Sequence, residues 1–210
     1  QFNRAEKPIP AASFPDINQP PLWPVVETIP LLLAKAHWEM TPKDIVYAGD
    51  RAVAIFSMLL FLAAVTVGYF VARRLFEAQL AFLAALVVIV ADVHWKFSLS
   101  GLPQMWVLLL LMVCAWLILK AMGEQEEAPS APPLKKWLLQ AAIGVLFGAM
   151  TLSHWAACWL FFGYLFFAFF YFKPRVLPLA AVVTFVLTLT PWIVRNIVVC
   201  GHPFGLALYP

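Results

Sequence analysis

Charge is what this chain has least of. Asp, Glu, Lys and Arg make up 12% of its 210 residues, and hydrophobic residues 63%. A soluble domain carries roughly a quarter charged residues, so a soluble globular fold is excluded and an integral membrane protein is indicated. Cysteine is scarce too. There are three, of which Cys114 and Cys158 lie inside apolar runs, and no disulfide framework is legible. The net charge of +3 is too small to point to nucleic acid. Strand-like alternation of apolar and polar residues is missing as well. Helices, which satisfy their own backbone in lipid, are then the remaining spanning element. The expected fold is an all-α polytopic membrane bundle.

Charge-free runs locate the spans. Residues 52–72 lie between Arg51 and the pair Arg73-Arg74. Residues 78–95 form the next run, with Asp92 near its far end, and residues 97–119 stop at Lys120. Residues 137–172 hold 36 positions without a formal charge. That is too long for one helix of about 20 residues and right for two short ones. The break belongs at Ser153-His154-Trp155, the most polar point of the run. Residues 176–194 complete six expected spans.

Short loops orient them. Arg73, Arg74, Lys120, Lys135, Lys136, Lys173 and Arg175 fall in alternate turns, against Arg51, Lys96 and Arg195 on the opposite side. The basic set is expected in the cytoplasm. Residues 121–133, with Glu124-Gln125-Glu126-Glu127 and three prolines, read as a flexible cytoplasmic linker. Gly144 and Gly148 form a small-xxx-small pair suited to close helix approach within the bundle. The chain opens at Gln1 without an initiator methionine or signal peptide, which reads as a piece of a longer polytopic protein. Residues 1–50 are expected to be an external loop and residues 51–210 the transmembrane bundle. Within the loop, the apolar stretch 25–34 is short for a span and is interrupted by Glu27 and Pro30, so it is expected to lie at the interface.

Polar residues gather at the end expected to face outward. His37, His94, His154 and His202 fall there, as do Asp16, Glu27, Glu39, Asp44, Asp50 and Asp92. The histidine spacing matches no compact ligand pattern, so no metal site is read, and a divalent ion stays open. Asp92-Val93-His94-Trp95-Lys96 is the densest group. Asp92 is either a surface partner of Lys96, four residues on, or a catalytic acid. The segment Thr190-Pro191-Trp192-Ile193-Val194-Arg195-Asn196 ends the last span with a cation and an amide. Those two groups either anchor the helix at the interface or hold an anionic lipid headgroup. Lys96, His154 and Arg195 are the candidate donors to a departing phosphate.

Several motifs together resemble a known family. They are Gln19-Pro20-Pro21-Leu22-Trp23-Pro24 followed by an interfacial helix, Arg51 opening a span, and the Arg-Arg-Leu-Phe turn at 73–76. Thr151-Leu152-Ser153-His154 and Pro191-Trp192-Ile193-Val194-Arg195-Asn196 follow in order. The set resembles the C-type membrane glycosyltransferases, nearest to glycosyltransferase family 39 with the protein mannosyltransferases and the bacterial aminoarabinose and related lipid-linked sugar transferases. The expected location is a bacterial inner membrane, and the resemblance implies a polyprenyl- or dolichyl-phosphate sugar donor and inverting transfer on the outer side of the membrane. It also implies a principal catalytic acid upstream of the Pro-Pro-Leu motif, before Gln1, with Asp16 too close to the motif to replace it with assurance. This chain departs from the family pattern at Gln19, Gln104 and His154, each a position where a charged residue is common.

Two functions from different classes follow. One is a glycosyltransferase using a lipid-phosphate sugar, with Asp92 and Asp16 as candidate acids and Arg195, Asn196, His154, Lys96, Gln19 and Trp23 as candidate donor-binding residues. The other is a non-catalytic scaffold subunit or degenerate relative working with other membrane subunits. A transporter, which needs polar or broken helices at mid-membrane, ranks last.

Overall fold

The computed structural model describes residues 20–34, 48–127 and 133–204. Asp16, Gln19, His37, Glu39 and Asp44 lie outside the described residues. The elements are α1 (Leu22–Leu33), α2 (Ala48–Leu75), α3 (Ala78–Val90), α4 (Asp92–Leu99), α5 (Gln104–Glu127), α6 (Pro133–Ser153), a 3-10 turn (Trp155–Ala157), α7 (Cys158–Tyr171) and α8 (Pro178–Cys200). It is an all-α membrane bundle. Four helices are long and apolar enough to span: residues 48–75, 104–126, 134–153 and 178–199. A fifth span forms if α3 and α4, bent by 56° at their junction, are counted as one. The 17 residues of Trp155–Tyr171 are the shortest of the expected six.

Packing gives α7 a crossing role despite its length. The Thr184 hydroxyl donates to the Ala141 carbonyl, and further along Thr188 crowds Gly148; α8 and α6 therefore run parallel. Between them the chain must return through the same thickness. Phe161 packs on Phe147 and the Tyr164 hydroxyl donates to the Gln140 amide, so α7 runs antiparallel to α6. The first half repeats this plan. Gly68 faces Met112 and Arg74 lies over Trp116, so α2 and α5 are parallel and α3 is the return. One end of the bundle thus holds the turns near 75–77 and 172–177, the end of α5 and the start of α6, and the other holds α1, α4, His154 and the end of α8.

Three expectations are corrected. The run 78–95 is not one helix: α3 stops at Val90, Ala91 turns to an extended backbone, and Asp92–Trp95 belong to α4. A straight continuation would carry Asp92, His94 and Lys96 further along the hydrocarbon axis, where each is costly. The bend lays them aside, and the Trp95 indole takes up the freed Ile89 carbonyl at 2.6 Å. The run 97–119 likewise does not start a span, because Gly101 at φ 69 and Pro103 turn the chain before α5 opens at Gln104. Finally, 121–127 is not linker but the last turns of α5. Glu and Gln are good helix formers, and Glu124 is held by Lys135 of α6.

The helix α1 is 12 residues long, which is about 18 Å and too short to cross a bilayer. It buries Trp23, Val26 and Pro30 against the bundle, a spacing that puts them on one face.

Candidate ligand cavity at the His154 end

The site is built where three chain breaks meet. The turn after α4 is tightened by Ser100, whose hydroxyl donates to the Phe97 carbonyl at 2.8 Å. It is tied to α1 by the Trp23 indole N–H, which donates to the Gly101 carbonyl at 3.1 Å. The end of α6 is tied to α5 by the Trp106 indole, which donates to the Ser153 hydroxyl at 3.1 Å. His154 then takes an extended backbone and Trp155 turns into the next helix. Trp155 is clamped by Trp192 at 4.8 Å and Phe204 at 5.3 Å between ring centres.

These constraints enclose a cavity of about 520 Å³ lined by Pro20, Trp23, Glu27, Gly101, Gln104, Ser153, His154 and Trp155. Glu27 is its carboxylate. Burial, and after it the Asp50 carboxylate, raise the Glu27 carboxyl above the ordinary glutamate value. Gln104 Oε1 and Trp155 Nε1 are buried with no hydrogen-bond partner among the described residues. Buried polar groups are nearly always paired, so each marks a place for a polar ligand atom or water. A second, largely apolar groove of about 450 Å³ shares Pro103, Gln104 and His154 with the cavity. It continues between α5 and α7 along Val107, Leu111 and Leu160. A polar chamber thus opens sideways onto a lipid-facing channel.

Of the residues picked out from the sequence, Trp23 and His154 come together in this cavity. Asp92 and Lys96 do not line it. They pair with each other at 2.5 Å on α4, both three-quarters exposed. Arg195 is exposed and its guanidinium donates to Asn196 Oδ1 at 3.3 Å, while Asn196 is fully buried and donates to the Pro203 carbonyl at 3.4 Å. Neither lines the cavity. Glu27, Gln104 and Trp155 were not singled out as site residues. Glu27 had a signal: it stands four positions after Trp23, on the same helical face. Among the described residues, no group of three His, Cys, Asp or Glu could hold a metal ion.

Fold and cavity define an integral membrane protein whose end chamber suits a polar headgroup and whose side groove suits an apolar chain. The chain belongs to the family described as oligosaccharyl transferase STT3, N-terminal, whose model matches residues 23–206. It is a membrane glycosyltransferase-like relative of oligosaccharyl transferase. The match supports that class and not glycosyltransferase family 39 in particular. No curated protein and no solved structure matches the chain.

Proposed function

We propose that this chain binds a polyprenyl-phosphate-linked sugar at the His154 end and takes part in transferring the sugar to an acceptor on the outer side of the membrane. The observation that carries the reading is the junction of chamber and groove at Pro103, Gln104 and His154. A lipid-linked sugar needs both environments within one bond of each other: hydrogen-bonding groups for sugar and phosphate, and a dry channel for the chain. In the reaction, Glu27 accepts the proton of the acceptor as its nucleophilic atom bonds to the anomeric carbon. The carbon–oxygen bond to the phosphate breaks with inversion, and the lipid phosphate departs with the electron pair. His154 and the unpartnered Trp155 N–H, both in the chamber lining, serve as donors to that phosphate. The excess of basic residues in the opposite loops supports an outward-facing chamber and, with the family-39-like motifs, a C-type enzyme of a bacterial inner membrane.

The test is binding of a polyprenyl-phosphate sugar to the purified full chain, compared with the free polyprenol. The sugar phosphate is expected to bind more tightly. Leu111→Trp, which blocks the groove, should weaken both, and His154→Ala only the phosphorylated one. Equal affinity for both lipids in every variant would overturn the assignment.

A second reading has one observation behind it. Among the described residues, the chamber is lined by a single carboxylate and by no lysine or arginine. That sparse set favours a scaffold subunit that holds the donor for a catalytic partner. Donor binding without transfer by the full chain, restored by added membrane subunits, would support it.

A further inference from the structure

The opposite end of the bundle carries a separate cavity of about 560 Å³, lined by Arg74, Lys120, Gly123, Glu124 and Glu126 among others. Arg74 closes α2 and Lys120 lies on α5, yet both reach the same ring. Each places its charge 5.4 Å from the centre of Trp116. Cation–π attraction accounts for holding either one. It does not neutralise two like charges at one indole. Among the described residues neither has an ion-pair partner, since the ion pairs there join Lys96 to Asp92 and Lys135 to Glu124. Of the two acids in the lining, Glu124 is paired with Lys135, while Glu126 keeps its charge and accepts the Tyr171 hydroxyl, so the anion's place is on the Arg74 and Lys120 side. Gly123 leaves the cavity open, because a side chain built there meets nothing within 4 Å.

Depth identifies the ligand's source. Arg74 stands at the end of the apolar run of α2, and the neighbouring Leu75 and Phe76 are more than half exposed. The cavity therefore sits where the bundle leaves the hydrocarbon, at the level of phospholipid phosphates. We propose that it binds the phosphate of an anionic phospholipid, with Arg74 and Lys120 as the two cationic contacts and the headgroup seated beside Gly123. Arginine supplies a planar fork to the two non-bridging phosphate oxygens, and lysine adds a point charge beside one of them. The site is independent of the sugar-transfer reading and stands at the other membrane face.

The experiment uses the purified full chain in neutral detergent with equal amounts of phosphatidylglycerol and phosphatidylcholine, and counts retained lipid by native mass spectrometry. Phosphatidylglycerol should be retained preferentially. Arg74→Gln and Lys120→Gln should each weaken retention about fivefold, the size of one basic contact with an anionic surface. Gly123→Trp fills the cavity without changing charge and should abolish the preference, which keeps the test open if a charge variant fails to fold. Arg175→Gln removes a basic residue of the same end that does not line the cavity, and should change nothing. A preference that survives Gly123→Trp, or that falls equally with Arg175→Gln, would overturn the site in favour of a diffuse charge effect. Inorganic phosphate that stabilises the lipid-free protein as much as phosphatidylglycerol does would overturn the lipid assignment.

Discussion

The indole N–H of Trp23 on α1 reaches across 78 positions of sequence to donate to the carbonyl of Gly101, at 3.1 Å. This bond joins the short helix α1 to the turn that starts α5. It thereby ties together α1 and the start of α5, which bring Glu27 and Gln104 to the same chamber. Trp23→Phe keeps most of the packing but leaves the Gly101 carbonyl without its donor, and should cost about 1 kcal/mol. Gly101→Ala should cost about 1–2 kcal/mol from the left-handed backbone alone, and more because Val53 Cγ1 lies 3.2 Å from the added carbon. Thermal unfolding of the full chain in detergent measures both. Two unchanged melting curves would show that α1 is held by something else.

Glu27 makes a pH prediction with a definite sign. Its carboxyl is raised by burial first and by the Asp50 charge second. A raised folded value means that the ionised form is penalised in the native state. Its stabilising share is whole below the unfolded value and is lost as pH rises through the folded one. Glu27→Gln should therefore raise stability at neutral pH and leave it unchanged in acid. If Glu27 is the base, transfer should lose its activity on acidification at a higher pH than an ordinary glutamate would give. Asp50→Asn should move that limb to lower pH. Glu27→Gln should reduce turnover by roughly a hundredfold to ten-thousandfold. A pH profile unmoved by Asp50→Asn would sever the two residues.

Gly144 lies where α6 meets α8. A methyl group there would stand 2.2 Å from the Ala181 carbonyl oxygen and from Thr184 Oγ1. Gly144→Ala must push two parallel spans apart, and overpacking of this kind costs about 1–3 kcal/mol. Gly163 on α7 has nothing within 4 Å of its missing side chain. Gly163→Ala should be neutral or gain up to about 1 kcal/mol through helix propensity. Unfolding of the two variants side by side checks the contrast.

At the end of α8, two neighbours divide their work by burial. Asn196→Ala removes a fully buried amide and orphans its partners, so it should cost about 1–3 kcal/mol. Arg195 is exposed and stands outside the chamber. Arg195→Lys and Arg195→Ala should both bind a polyprenyl-phosphate sugar normally. Progressive weakening from Lys to Ala would instead show that the guanidinium holds the phosphate.

Membrane orientation can be read by thiol labelling in a chain whose own cysteines are replaced by alanine. A cysteine at Ser100, at the His154 end, should react with an impermeant reagent in intact cells, while one at Arg175 should be protected. The reverse pattern would turn the chamber to the cytoplasm and remove the outer-side transfer reading.

Much of the fold was legible because hydrocarbon imposes it. Run 52–72 lies within α2, and run 176–194 lies within α8 but for its first two residues, since a charge inside a span is expensive wherever the helix packs. The polar triplet Ser153-His154-Trp155 marked the end of α6 for the same reason. Charge-counting failed where the break carries no charge. Ser100-Gly101-Leu102-Pro103 ends one helix and starts another inside a run of uncharged residues, and turn chemistry rather than hydropathy decides that boundary.

The chamber was less legible. Asp92 and Lys96 are dense in sequence, but at four residues apart on one helix they neutralise each other in solvent. Glu27, Gln104 and His154 are scattered over 128 positions of sequence, from 27 to 154. What the sequence alone determined is that the chain is an all-α membrane bundle and where most of its long apolar helices lie, because transfer free energy is local to each run of residues. Which polar ends share a chamber was decided by tertiary structure alone. That pairing depends on parallel spans packed side by side, on Trp23 meeting Gly101 and on Trp106 meeting Ser153, and no local periodicity carries such long-range contacts.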